Sequence, residues 1–169
     1  MATEILSLET LLDRLPRHAR LFGLDLGTKT IGIAMSDVER RIASPLETIR
    51  REKFSIDVQK LGALATAHDI FALVIGLPLN MDGTEGPRSQ ATRGFVRNLS
   101  TYVALPVIFQ DERLSTAAVT RTLIEQDASR AKRAQVVDKM AAAYILQSAL
   151  DRMERLSREK SPPPMGEEL

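Results

Sequence analysis

The spacing of apolar residues changes several times along this chain, and each change predicts a different element. Ile5, Leu8, Leu12 and Leu15 recur at helical intervals behind Ser7, a favourable N-cap, until Pro16 stops the pattern. Residues 7–15 are therefore expected to form a short docking helix. Leu21-Phe22-Gly23-Leu24-Asp25-Leu26 reads as a strand, Gly27-Thr28-Lys29-Thr30 as a turn, and Ile31 to Ser36 as a second strand, which predicts an antiparallel hairpin. Ile42 to Ile49 is a third strand, and Pro45, with no N–H to give to a central ladder, assigns it to an edge.

From Phe54 the residues Val58, Leu61 and Ala65 return to helical spacing, and Ile70 to Ile75 is an unbroken apolar run, as suits a parallel strand covered on both faces. A turn-rich stretch from Gly76 to Pro87 precedes a helix marked by Ala91, Phe95 and Leu99. Leu105 to Phe109 is a further strand, with Asp111-Glu112-Arg113 at its end, and Val119 with Leu123 marks another helix. A basic stretch from Ser129 to Arg133 leads into a last long helix, roughly 136–158, and Ser161-Pro162-Pro163-Pro164 opens an acidic end that is expected to be disordered. Hairpin strands followed by alternating helices and strands predict an α/β fold: a mixed five-stranded sheet, three antiparallel strands then two parallel, flanked by helices. The expected division is a helical extension over 1–19, one domain over 20–158 and a disordered tail over 159–169.

Composition narrows the chemistry. The 169 residues are 44% hydrophobic, enough for one core and little more. With no cysteine, disulfides and thiolate zinc sites are excluded, and a reducing compartment is the natural reading. No basic segment leads into an apolar stretch at the start, and no apolar run approaches the ~18 residues of a membrane span, so a cytoplasmic protein without a membrane partner is expected. The net charge of +1 makes no general basic surface, so any contact with nucleic acid must come from local patches.

Three acids stand where an acid is costly. Strand alternation puts Gly23 and Asp25 on one face and Phe22, Leu24 and Leu26 on the other, and Gly32 and Ala34 of the next strand are expected to leave open space beside Asp25. Asp111 and Glu112 sit at the carboxyl end of a strand, where ligands gather in open α/β sheets. Neighbours on an extended strand point to opposite faces, so only one of this pair can join Asp25, and spacing does not choose. Asp138 shares a helix face with Ala142, Ile145 and Ala149, and Ala141-Ala142-Ala143 would let that helix approach the sheet closely. Each acid also has a local reading: a turn cap at Asp25, a salt bridge from the Asp111-Glu112 pair to Arg113 or an acid near the next helix N-terminus, and a first-turn acid at Asp138. Together, carboxylates are hard ligands suited to Mg²⁺ or Mn²⁺, and three could serve two ions about 3.5 to 4 Å apart for in-line cleavage of a phosphodiester.

Gly23-Leu24-Asp25-Leu26-Gly27-Thr28-Lys29 with Ile31-Gly32, Gly76-Leu77-Pro78 through Gly86-Pro87-Arg88, Asp111-Glu112-Arg113-Leu114, and Val137-Asp138-Lys139 before Ala141-Ala142 resemble the YqgF family. That family comprises the pre-16S rRNA nucleases related to RuvC-type Holliday-junction resolvases, and the likeness runs from about Leu21 to Asp151. It implies a ribonuclease H-like fold. It further implies that Asp25, Glu112 and Asp138 are the catalytic, metal-binding acids, favouring Glu112 where spacing could not decide, and that the substrate is the 5′ end of the 16S rRNA precursor in ribosome biogenesis. Four-way DNA junctions are the alternative substrate. Ser115 stands where the family usually has Thr, which keeps a hydroxyl, and Gln135 where a Gly often precedes the Val-Asp pair.

Lys29, Arg113 and Lys139 follow the acids closely in sequence and are candidates to meet backbone phosphates, as are Asn80 in the turn-rich loop and Arg88 after it. Arg93 and Arg97 continue that stretch, and Arg130, Lys132 and Arg133 form a basic run able to track a strand. The expected partners are nucleic acid, pre-16S rRNA ahead of branched DNA, and a pre-ribosomal particle, with the chain acting as monomer or homodimer. His18 and His68 lack metal-ligand spacing. Asp25-Leu26-Gly27-Thr28 also resembles the phosphate loop of actin-like and sugar-kinase proteins, but those duplicate the unit and this chain has a single copy. A nucleic-acid or ribosome-binding module without activity is the competing class, and metal binding by the three acids separates it from a nuclease.

Overall fold

The computed structural model describes the backbone of residues 3–114 and 130–160, and the side chains of 3–113 and 139–160. The predicted hairpin lies at the centre of the sheet. β1 (Arg20–Leu26) pairs antiparallel with β2 (Thr30–Ser36), setting Asp25 opposite Gly32 and Gly23 opposite Ala34. Gly27 N–H donates to the Thr30 carbonyl at 2.9 Å and closes the turn. β3 (Ala43–Arg50) adds antiparallel to β2 as an edge strand, and the register shifts between Ile33 and Ala34 where Pro45 enters the pairing, a bulge that accommodates a residue unable to donate.

On the other side of β1, β4 (Ile70–Leu77) and β5 (Val107–Asp111) run parallel, giving the order β3-β2-β1-β4-β5. Parallel neighbours need crossovers. They are α2 (Phe54–Ala67) and α3 (Pro87–Leu99), whose Val58, Leu61, Phe95 and Leu99 share one core with Phe22, Leu24, Ile31, Leu73 and Ile75. The second core lies on the opposite face. There α1 (Leu8–Arg14) and α4 (Arg130–Lys160) cover Leu21, Ala34, Ala72, Val74 and Ile108. Burial on both faces explains why β4 shows no alternation of apolar and polar residues.

Gly23 marks a close approach of helix to sheet. A Cβ there would lie 2.6 Å from Leu146 Cβ and 2.7 Å from the Ala142 carbonyl oxygen, so α4 rests directly on bare strand backbone. The open space expected beside Asp25 is thus filled over Gly23 and over the fully buried Ala34 by helix, the approach that Ala141-Ala142-Ala143 allows.

Several expected boundaries move. Ile5 is outside α1 and 54% exposed. Its segment instead extends the sheet, with Leu6 N–H donating to the Val107 carbonyl and Val107 N–H to the Glu4 carbonyl, both at 2.8 Å, which satisfies part of the β5 edge. Leu8 and Leu11 are the buried pair of α1. β5 starts at Val107, two residues late, because Pro106 has no N–H for the ladder, although its carbonyl still accepts from Leu73 at 2.9 Å. On α3 the inward residue is Thr92, and Ala91 is exposed. α4 begins six residues before the expected start, since Ala131, Lys132, Arg133, Ala134 and Gln135 favour helix, so the basic run belongs to its opening turns. The helix predicted from Val119 and Leu123 and the tail after Lys160 lie outside the described residues. Among the described residues no helix is long and apolar enough to cross a membrane.

Candidate functional site

Asp25 sits one residue before the end of β1 and is 1% exposed. Phe22 and Leu24 point under α2 and α3, which leaves Gly23 and Asp25 to the α4 face. The parallel register sets Leu24 beside Ile75, so Asp25 follows beside Gly76 of β4. Gly76 has no side chain, and Glu112 occupies the space: a Cβ at Gly76 would lie 2.8 Å from Glu112 Oε1 and 2.6 Å from Ile145 Cδ1. Asp25 and the Glu112 carboxylate therefore share one face at the carboxyl end of adjacent strands.

Glu112 reaches back over β4 because β5 ends at Asp111 and a 3₁₀ turn begins at Glu112. The pair does not stay extended, so strand alternation could not have decided between the two acids. Asp111 is otherwise engaged. The Arg113 guanidinium grips it with Nη2 to Oδ2 at 2.7 Å and Nε to both oxygens at 3.1 Å, and Arg113 N–H adds a bond at 2.9 Å. The Arg113 guanidinium, opposed by partial burial and helped by that N–H, holds the Asp111 carboxyl below the usual carboxylate range. The expected local salt bridge is thus real at Asp111, and Glu112 is the acid turned toward Asp25's face.

Asp138 lies on α4, one turn before Ala142, and its side chain lies outside the described residues. The helix direction still places its backbone. Gln147 accepts from Ala43 N–H at 2.9 Å, and Ala43 pairs with Ser36 at the end of the sheet far from the hairpin turn. Ala142 is over Gly23. Going back from Gln147 through Ala142 leads toward the hairpin turn, the end at which Asp25 stands. Among the described residues, no three Asp, Glu or His side chains form a metal-binding group.

The predicted phosphate-contacting residues fall around the same end of the sheet. Lys29 is exposed at the hairpin turn, Asn80 is exposed after β4, Arg88 is exposed on the first turn of α3, and Lys139 is half-buried beside Asp138 on α4. Arg113 is exposed but committed to Asp111, and it also donates to the Met81 carbonyl at 3.1 Å. Two positioning residues escaped sequence reasoning. Arg51 donates to the Gly27 carbonyl at 2.7 Å, lies over the Phe95 ring at 5.6 Å, and gives its N–H to the Lys29 carbonyl at 2.8 Å, fastening the hairpin turn to α3. Ser89, fully buried, donates to the Pro78 carbonyl and anchors the β4–α3 loop. A basic residue directly after β3 was the one signal for Arg51; Ser89 gave none.

Two other features are separate from this constellation. Asp57, 2% exposed, accepts from Glu52 N–H at 3.0 Å in the first turn of α2, an ordinary helix-start role on the opposite face. A groove of about 550 Å³ between α2 and Val103-Ala104-Leu105 opens at the start of β4 and contains none of the predicted residues.

Residues 19–152 match the model of the RuvX family, described as "Holliday junction resolvase". A Methylocella silvestris protein, "Putative pre-16S rRNA nuclease", is 64% identical over 159 residues, covering 94% of this chain and 99% of its own. A Beijerinckia indica protein of the same description is 65% identical over 153 residues, 90% of this chain and 93% of that one. Among solved structures, Thermus thermophilus RuvC in complex with a Holliday junction substrate superposes with a TM-score of 0.52 at 13% identity, over 81% of this chain and 97% of that chain, a likeness of fold.

Proposed function

This chain belongs to the RuvX (YqgF) family, and on that premise we propose that it is a nuclease that hydrolyses phosphodiester bonds at the 5′ end of pre-16S rRNA. The observation that carries the reading is the placement of the Glu112 carboxylate over Gly76, beside buried Asp25, at the carboxyl ends of β1 and β4. Glycine at 76 admits both the buried Ile145 side chain and the Glu112 carboxylate to this face, and so leaves the two acids a common approach.

The donor set fits a hard divalent cation, Mg²⁺ or Mn²⁺, held by Asp25, Glu112 and Asp138. When bound, such an ion supplies charge stabilisation at the scissile phosphate and lowers the pKa of attacking water. The chain's own groups do the rest. Asp25 is fixed by the paired strands around it, and Glu112 by the 3₁₀ turn, so their orientation is set before substrate arrives. Lys29, Arg88 and Lys139 meet backbone phosphates flanking the scissile bond, and Asn80 presents its loop to the substrate. Arg113, through Asp111 and the Met81 carbonyl, keeps that loop against the end of β5. The work is cytoplasmic, on a pre-ribosomal particle.

The family model's description favours one second reading, cleavage of four-way DNA junctions. Both are tested by incubating wild type and Asp25→Asn with a 5′-extended 16S rRNA fragment and a four-way junction, in Mg²⁺ or Mn²⁺. Cutting of the RNA by wild type alone is the expected result; cutting of only the junction moves the function to DNA. Equal cutting by the variant removes Asp25 from the chemistry.

A further inference from the structure

β4 leads into a loop far more ordered than a connection requires. Leu79 and Glu85 form an antiparallel bridge, Asn80 N–H donates to the Thr84 carbonyl and Gly83 N–H to the Asn80 carbonyl, both at 2.9 Å. Asp82 accepts from the Thr84 hydroxyl at 2.6 Å and from Thr84 N–H at 3.0 Å, and the Asn80 amide donates to the same hydroxyl at 3.0 Å. Gly83 takes a φ of +88°, a left-handed value open to glycine. Outside the loop, Arg93 pairs with Glu85, Ser89 holds the Pro78 carbonyl, and Arg113 holds the Met81 carbonyl.

All of these bonds use backbone or polar side chains. The residue at the tip is Met81, 92% exposed, and among the described residues the next large apolar side chain is Ile42, at 63%. A lone apolar side chain on a floppy loop would carry no message. This one is held out by a loop whose own carbonyl is tied to Arg113, the residue after Glu112. Aromatics that could stack bases are scarce, at 4% of the chain with no Trp, and the exposed Tyr102 belongs to the groove at the opposite end of the sheet.

We propose that Met81 is a specificity-determining residue whose thioether side chain lies against the face of an unstacked nucleobase next to the scissile bond, with Asp111 and Arg113 as positioning residues for its loop. The proposal rests on the reading that the chain acts on nucleic acid. A base presents its apolar face only where it is unpaired or displaced, so such a contact selects frayed, single-stranded or branched substrate over uniform duplex. Methionine suits the task because it is flexible, polarizable and able to wedge between bases.

The test uses 2-aminopurine, whose fluorescence reports stacking, placed at successive nucleotides of the 16S rRNA fragment and of the four-way junction. Asp25→Asn is the background, so the substrate stays whole. At one or two adjacent positions fluorescence is expected to change at least twofold on binding. Adding Met81→Ala should abolish that change and weaken binding about fivefold, the low end for loss of one base-stacking contact, while Met81→Leu keeps both. A response confined to one of the two substrates identifies the chemistry the loop reads. Identical signals and affinities for Met81→Ala, or no responsive position in either substrate, overturn the proposal. If wild type cuts neither substrate while the Met81-dependent signal persists, the nuclease reading fails and the base contact stands.

Discussion

Gly23→Ala adds one methyl group where α4 lies directly on the strand. The new Cβ would lie 2.6 Å from Leu146 Cβ and 2.7 Å from the Ala142 carbonyl oxygen. Both neighbours belong to the rigid part of α4, so no side-chain rotation relieves the clash. To restore a carbon contact of ~3.5 Å the helix must retreat by roughly 0.9 Å. Overpacking of this kind costs about 1–3 kcal/mol, and the stiffer unfolded chain returns about 0.4–1 kcal/mol, leaving a net loss of roughly 1.3 kcal/mol at the middle of both ranges. For a chain of this size that lowers Tm by about 3–5 °C. Activity should suffer more. The retreating helix carries Asp138, and a misplacement near 1 Å in a catalytic group costs about 100-fold. Differential scanning calorimetry and the RNA cleavage assay check the two halves. Gly62→Ala is the matched control: its Cβ would meet Val103 Cγ2 at an ordinary 3.5 Å inside α2, so it should raise stability by about 0.5–1 kcal/mol. A Gly23→Ala protein that melts at or above the wild-type temperature refutes the reasoning.

Gly76→Ala presses on the flexible ends of Ile145 and Glu112, which can give way. Its Tm should fall less than that of Gly23→Ala while cleavage drops at least ~10-fold through the displaced carboxylate; full activity would separate Glu112 from the reaction. Ser89→Ala leaves the Pro78 carbonyl without its hydroxyl donor, and should cost about 1–3 kcal/mol in denaturant melts and speed amide exchange across 78–86. Asp111→Asn removes the carboxylate that Arg113 grips. The Asp111 pKa is depressed in the fold, so its stabilisation is fully present above the unfolded value of ~3.9 and disappears as pH falls through the lower folded value. The stability gap between wild type and Asp111→Asn should be constant from about pH 5 to 8 and shrink below about pH 4; a gap that already closes by pH 6 assigns it to another group.

The sheet was largely legible because its signals are local. The turn at Gly27–Thr30, the edge position of β3 from Pro45 and the doubly covered β4 each follow from a few adjacent residues. Where expectation failed, a distant contact decided. Ile5 looked helical by spacing, but an open β5 edge captured its backbone. Gly32 and Ala34 suggested free space, and only the path of α4, set by contacts more than a hundred residues away such as Gln147 with Ala43, shows that helix fills much of it. At the site, Asp25 was readable as an acid within an apolar strand. The choice between Asp111 and Glu112 was not, because it depends on a 3₁₀ turn and on a guanidinium two residues away. The roles of Arg51 and Ser89 rest on carbonyls that carry no mark in the sequence.

Cation binding tests the central claim most directly. Calorimetric titration of Mn²⁺ into wild type should give saturable binding, and Asp25→Asn, with its fold verified by melting, should weaken it at least tenfold, about 1.4 kcal/mol. Superimposable isotherms from the two proteins would mean that buried Asp25 holds no ion.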